Sequence, residues 1–153
     1  MEEVFATPKV AAGALFIDAD RFLLVRPTYK ATWDIPGGYV DQGESPYQAC
    51  LREVEEELGL APRLEGLLAV DWAPSDAEGD KLLFIFLATR GSFDPQAVVL
   101  EPRELSEWRF VTVEESAPLL NGRLRPRLAT AMQAALEGRV AYMDHGREGH
   151  WVK

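Results

Sequence analysis

Residues 38–60, GYVDQGESPYQACLREVEEELGL, carry the signals that decide the fold. Ser45 is a favourable N-cap, Pro46 suits the first helical position, and Gln48 three residues on completes a capping box. Gly59 stands where a left-handed residue ends a helix, and Pro62 prevents continuation. The stretch therefore predicts one helix opened by Ser45-Pro46 and closed at Gly59. At about 100° per residue, Glu53, Glu56 and Glu57 share an arc of roughly 100°. Tyr47, Leu51, Val54 and Leu58 form a narrower apolar stripe on the far side. Three like charges at i, i+3 and i+4 cost a helix a few tenths of a kcal/mol per pair. Such crowding is expected where a cation is to be held, and hard carboxylate oxygens suit Mg²⁺ or Mn²⁺.

The neighbours of this face have readable roles. Arg52 lies one turn before Glu56, within reach of an ion pair, so it is placed to fix a carboxylate rather than to touch a substrate. Glu44 sits just before the N-cap, where the helix dipole favours an anion. Magnesium keeps several waters and is shared between carboxylates and substrate phosphates, so the face fits a diphosphate partner with water as nucleophile.

Outward from the helix, apolar runs alternate with turns. Residues 10–18 and 21–26 read as a strand pair joined at Asp18-Ala19-Asp20, a turn rather than a calcium loop because the other loop ligands are missing. Residues 33–35 read as a short strand and Pro36-Gly37-Gly38 as a turn that brings backbone close to something. Downstream, 63–72 is a weakly alternating strand and 73–80 a polar loop, while 81–89 is apolar enough to be buried on both faces. Residues 98–100 and 108–111 read as short strands around the acidic loop EPRELSE. Thr112 caps a short helix to residue 120, and 124–137 is a second long helix with Pro126 in its first turn. The tail from Arg139 has no readable pattern. These elements predict a mixed domain with helices on both sides of a sheet.

Composition narrows the partners. The 153 residues suit one domain with one core. A net charge of −9 disfavours a nucleic-acid duplex or an anionic membrane as partner, and action on phosphates then requires a metal ion or local arginines. The single cysteine, Cys50, excludes an intramolecular disulfide and fits a cytoplasmic location. No signal peptide is read at the N-terminus, and the longest apolar runs, AAGALFI and LLFIFLA, are too short to span a bilayer.

Gly38, five residues, Glu44, seven residues, then Arg52-Glu53-Val54-Glu55-Glu56-Glu57-Leu58-Gly59-Leu60 resembles the Nudix box at every defined position. The lead-in TWDIPGGYVDQGE, the early hairpin and ELSEWRFV are also similar to Nudix hydrolases. The resemblance covers residues 8–137 of a single domain and leaves the tail 138–153 unassigned. It implies an α+β fold, an α/β/α sandwich with a mixed sheet packed between helices. It implies hydrolysis of a phosphoanhydride bond in a nucleoside diphosphate linked to a group X, by water attack on phosphorus, with Mg²⁺ or Mn²⁺ as cofactor. By the same resemblance Glu53, Glu56 and Glu57 bind metal, Arg52 orients a glutamate and Gly38 shapes the loop. By the same resemblance water activation falls first to Glu53, and otherwise to a later-loop glutamate, Glu104 before Glu107 and Glu101. A homodimer is a further implied possibility.

Plainer readings stand beside these. Glu55 points away from the acidic face and is a surface charge. Ala49 on that face leaves room for metal and phosphate, or is simply a helix former. Cys50 belongs to the core rather than to a nucleophile. His145 and His150 show no zinc spacing. Trp33 and Trp72 stack on a base or pack in the core, and Arg26 meets a phosphate or a surface carboxylate. Glu101, Glu104 and Glu107 are a working loop or a solubilising patch. A non-catalytic nucleotide sensor is the competing function, against which the intact box argues. The identity of X is left open. Pro74 lies one residue away from the proline spacing of the ADP-ribose subgroup.

Overall fold

The helix marked out by Ser45 and Gly59 runs from Pro46 to Leu58 (α1) in the computed structural model, which describes residues 4–89 and 91–149. Both arms of its capping box form. Ser45 Oγ accepts the Gln48 N–H at 3.1 Å, and Gln48 Oε1 accepts the Ser45 N–H at 2.9 Å. Gly59 ends it in the left-handed region at φ 68°.

Eight strands surround it in the chain: β1 (Lys9–Asp18), β2 (Arg21–Pro27), β3 (Gly37–Tyr39), β4 (Leu64–Ala73), β5 (Lys81–Ala88), β6 (Leu105–Val111), β7 (Ala141–Asp144) and β8 (Arg147–Glu148). They form one sheet in the order β6-β2-β1-β5-β4-β7-β8, with β3 added against β1. The β1/β5 and β4/β7 pairs are parallel and the others antiparallel, so the sheet is mixed. β1 is shared along its length. Ala11 to Gly13 pair with β3, and Ile17 and Asp18 pair with β2.

Period-two alternation divides the apolar residues between the two faces. Ala12, Ala14 and Phe16 of β1 with Leu23 and Val25 of β2 join Cys50, Val54 and Leu58 of α1 in one core. Leu15, Phe22 and Leu24 face the other way, into a second core with Leu128, Ala131 and Met132 of α3 (Leu124–Glu137). A short helix, α2 (Val113–Ser116), carries its own capping box from Thr112 and Glu115. The expected α/β/α sandwich is what forms.

Several local expectations are corrected. Residues 36–38 are not a free turn, because Gly37 and Gly38 pair with β1 as β3. Residues 98–100 form no strand. Instead the Val99 and Glu101 N–H groups donate to the Leu58 and Glu57 carbonyls, supplying donors to the end of α1 that the helix itself cannot. The acidic loop is shorter than expected, since Leu105 to Glu107 already belong to β6. The helix after Thr112 ends at Ser116 rather than near residue 120. β5 is not sealed on both faces. Ile85 and Ala88 are buried, but Leu83 and Phe84 are partly exposed beside a cavity. The unassigned tail extends the sheet as β7 and β8, and His150 lies outside the described residues.

The apolar stripe of α1 is also rotated from its expected position. Ala49, Cys50, Val54 and Leu58 are fully buried, whereas Tyr47 is 48% exposed and Leu51 only partly covered. The rotation presses the Ala49 and Glu57 side of the helix down, the side where Gly37 and Gly38 present no side chains. Ala49 is thus core rather than spare room in the acidic face. Cys50 is core as expected, and burial pushes its thiol up to about 12, so it carries no thiolate at neutral pH.

Candidate active site

Arg52 is the hub of the acidic face. Its Nη2 donates to Glu44 Oε1 at 2.6 Å and its Nε to Glu44 Oε2 at 3.0 Å, a two-point grip. Its Nη1 donates to Glu53 Oε1 at 2.9 Å and Glu56 Oε2 at 3.3 Å. The Tyr39 carbonyl accepts from Nη2 at 3.1 Å, and Asp41 Oδ2 lies 3.4 Å from it. Glu44 also accepts the Asp41 N–H at 2.8 Å. The Arg52 bonds, then that backbone bond, hold the Glu44 carboxyl below its usual range. Arg52 therefore positions carboxylates and ties α1 to the loop that precedes it, as its spacing to Glu56 suggests.

The three glutamates lie at graded depths. Glu56 is exposed, Glu53 is half-buried and Glu57 is buried at 8% exposure. Gly37 donates its N–H to Glu57 Oε2 at 3.3 Å. Gly38 makes room for Glu53, since a Cβ at that position would stand 2.6 Å from the Glu53 carboxyl carbon. Gly37 serves β1 in the same way, where a Cβ would meet the Ala12 carbonyl oxygen at 2.3 Å. Burial raises the Glu53 carboxyl despite Arg52, and burial followed by the charge of Glu53 pushes Glu57 to about 9. Glu57 has no cationic partner among the described residues and, without one, is neutral at pH 7.

The later-loop glutamates separate clearly. Glu101 Oε1 accepts from the Arg103 backbone N–H and guanidinium. Glu107 pairs with Arg26 at 3.4 Å and with Arg109 at 3.4 Å. The Glu104 carboxylate has no ion pair or hydrogen bond among the described residues, and its charge bears on both Glu53 and Glu57. Of the two readings of Arg26, the structure shows the surface ion pair: it is an exposed partner of Glu107 across β2 and β6 and does not line the cavity. Trp33 is 5% exposed and belongs to the second core, with Arg109 stacked 4.8 Å above its ring, but it also borders the cavity.

That cavity, about 690 Å³, runs from Gly37 and Gly38 past Tyr39 to the start of α3. The volume suits a nucleotide-sized ligand. Its far wall, Arg123 and Arg127, is invisible to a reading centred on residues 38–60, because only the fold brings α3 there.

The chemistry of the donor set fits a hard divalent cation. The candidate ligands are carboxylate oxygens, and the buried Glu57 carboxyl is the group whose charge only a nearby cation would make favourable. Among the described residues no three acidic, histidine or cysteine side chains are gathered around one point, since Arg52 draws Glu53 and Glu56 to itself. Side-chain rotation, common when a site fills, is what binding would require.

Comparison with known proteins agrees with the geometry. A family profile described as NUDIX domain matches residues 7–134. An ADP-ribose pyrophosphatase of Bacillus subtilis (strain 168) is 32% identical over 118 residues, covering 74% of this chain and 60% of that protein. An RNA pyrophosphohydrolase of Roseobacter denitrificans is 30% identical over 129 residues, 72% of this chain and 81% of that protein. An ADP-ribose pyrophosphatase of Methanocaldococcus jannaschii matches at 31% identity over 55% of this chain. The chain thus spans only 52% and 60% of the two ADP-ribose pyrophosphatases. Among solved structures, a UDP-X diphosphatase superposes with a TM-score of 0.70 at 26% identity, covering 93% of this chain and 70% of that one. A MutT NUDIX hydrolase from Burkholderia pseudomallei gives 0.68 at 25% identity, covering 84% and 98%. With its box folded as one glutamate-lined helix against a glycine strand, the chain belongs to the Nudix hydrolase family.

Proposed function

We propose that the protein is a Mg²⁺- or Mn²⁺-dependent hydrolase that cleaves a phosphoanhydride bond in a nucleoside diphosphate derivative, releasing a nucleoside monophosphate and a phosphorylated X. The observation that carries the reading is the Glu57 carboxyl, without a cationic partner among the described residues and buried beside Glu53 against Gly37 and Gly38, two glycines that also line the cavity. Relatives named as ADP-ribose pyrophosphatase and RNA pyrophosphohydrolase support cleavage at a phosphoanhydride.

Glu53, Glu56 and Glu57 would hold the cation, which when bound supplies charge neutralisation of the diphosphate and a more acidic water. Arg52 keeps Glu53 and Glu56 aimed, and the Gly37 N–H does the same for Glu57. The cavity receives the organic part of the substrate and leaves its phosphates at the Gly38 end. Glu104, without a cationic partner among the described residues, takes the proton from the attacking water at a carboxylate oxygen. Water adds to phosphorus as the bridging oxygen leaves in line.

Glu104→Gln is expected to lower kcat about 10- to 100-fold with little change in KM, while Glu101→Gln and Glu107→Gln change it less than about threefold. Initial rates on one good substrate distinguish the three. Gly38→Ala is expected to leave the thermal midpoint within about 4 °C, because only the tip of Glu53 must swing aside. Turnover should nevertheless fall at least about 10-fold, as Glu53 leaves its place beside Arg52.

A panel of nucleoside diphosphate derivatives incubated with Mg²⁺ and with Mn²⁺, with products identified by mass, tests the reading. A nucleoside monophosphate with a phosphorylated partner is the expected outcome. Tight binding without any product after long incubation would favour a nucleotide-sensing domain instead.

A further inference from the structure

The far wall of the cavity has features that a diphosphate at Gly38 does not use. Six charged side chains line the cavity, four cationic (Lys30, Lys81, Arg123, Arg127) and two anionic (Asp34, Glu78), in a chain whose net charge is −9. Lys30 pairs with Asp34 at 3.2 Å, and Lys81 pairs with Glu78. The surplus therefore rests on the two arginines at the start of α3.

Each arginine is anchored through one nitrogen and leaves others uncommitted. Arg127 donates through Nε to Asp71 Oδ2 at 2.5 Å. Asp71 is only 1% exposed and also accepts the Gly146 N–H at 3.0 and 3.1 Å. Arg123 donates through Nη1 to the His145 carbonyl at 2.9 Å. The terminal Nη1 and Nη2 of Arg127, and Nε and Nη2 of Arg123, have no partner among the described residues, although the Arg127 side chain is only 12% exposed. Asp71 cancels one of the two charges. What remains is one net positive charge and two fixed sets of donors that have no protein partner among the described residues and are still reached by solvent, on partly covered side chains. Guanidinium donors so arranged are matched by a phosphate, whose oxygens accept two parallel N–H bonds. Apolar or neutral groups placed there would leave those donors unpaired at a cost.

We propose that Arg123 and Arg127 are specificity-determining residues that receive an additional phosphate on the substrate, outside the diphosphate that is cleaved. The inference rests on the proposed reading of the site for the position of the cleaved diphosphate. A substrate of this kind carries a phosphomonoester either on the nucleoside ribose or on X. One well-placed phosphate against these donors is worth about 10- to 100-fold in affinity.

Binding decides the matter without turnover. The Glu57→Gln chain is titrated by calorimetry, with Mg²⁺ present, against ADP-ribose, 2′-phospho-ADP-ribose and ADP-ribose 1″-phosphate. One phosphorylated compound should bind about 10- to 100-fold more tightly than ADP-ribose, and which one does so tells whether the phosphate sits on the nucleoside or on X. Arg123→Gln in the same background should reduce that ratio about tenfold. Arg127→Lys, which keeps a cation for Asp71 but loses the fork, should reduce it as well. Arg125→Gln, an exposed change on the same helix, should not. Equal affinity for all three compounds, or a preference that survives both Arg123→Gln and Arg127→Lys, overturns the proposal. The hydrolytic reading fails separately, if the Glu57→Gln chain degrades any of the compounds at the wild-type rate.

Discussion

Glu57→Gln is expected to lower turnover about 10³-fold, a loss of about 4 kcal/mol of transition-state stabilisation, and yet to stabilise the metal-free protein at neutral pH. Both effects come from one cause. The Glu57 carboxyl is buried beside Glu53 with one donor among the described residues, the Gly37 N–H, and its pKa is pushed from the ordinary 4.5 to about 9. Between those values the unfolded chain has released the proton that the folded chain keeps. The contribution of this group is therefore fully present below about 4.5 and is lost as pH rises through 9. Glutamine is neutral in both states and still accepts the Gly37 N–H. In chelator at pH 8, Glu57→Gln should gain about 2 kcal/mol, a midpoint about 4–8 °C above wild type. At pH 4.5 the two should converge. Differential scanning calorimetry across that range checks the sign. A variant that melts below the wild type at pH 8 would show that Glu57 is already compensated within the fold.

Arg52→Ala has the second large effect, with the opposite sign on stability. Arg52 is the cation shared by Glu44, Glu53 and Glu56, and it holds the Tyr39 carbonyl. Removing it leaves the half-buried Glu53 and the largely covered Glu44 without their cation and unfastens α1 from residues 39–44. A loss of about 2–3 kcal/mol is expected, a midpoint about 5–10 °C lower, with turnover reduced at least about 100-fold. Arg52→Lys restores the charge but not the planar fork, so it should recover part of the stability and little of the activity. Thermal melts and initial rates on the three proteins separate the electrostatic from the geometric part.

The helix and its acidic face were legible because their signals are local. Ser45, Pro46, Gln48 and Gly59 act within one or two turns, and the structure realises each of them. The spacing of Glu53, Glu56 and Glu57 likewise needs only helical periodicity. What periodicity could not give was the depth of each carboxylate. That depends on Gly37 and Gly38 pairing with β1, which lets the Ala49 and Glu57 edge of α1 sink while Tyr47 stays half-exposed. The same long-range pairing hid β3 behind what reads as a turn. Residues 98–100 look like a strand because they are apolar and two of them are β-branched, but the Val99 N–H donates to the Leu58 carbonyl at the end of α1. The tail gave no pattern because β7 and β8 are short and lie beyond β4. Arg123 and Arg127 drew no notice because their company, Asp71, His145 and Gly146, is assembled from β4 and the β7–β8 turn. Among the described residues, no helix is long and apolar enough to cross a membrane.

The central claim is that Glu53, Glu56 and Glu57 form a divalent-cation site. Titration of Mn²⁺ into the full chain, followed by the electron paramagnetic resonance signal of the free ion, addresses it directly. Wild-type protein should deplete that signal and at pH 7 release about one proton per site, as Glu57 ionises on binding. Glu57→Gln should bind about 10- to 100-fold more weakly and release none. Undiminished Mn²⁺ binding by Glu57→Gln, or no binding by the wild type at millimolar ion, would contradict the account.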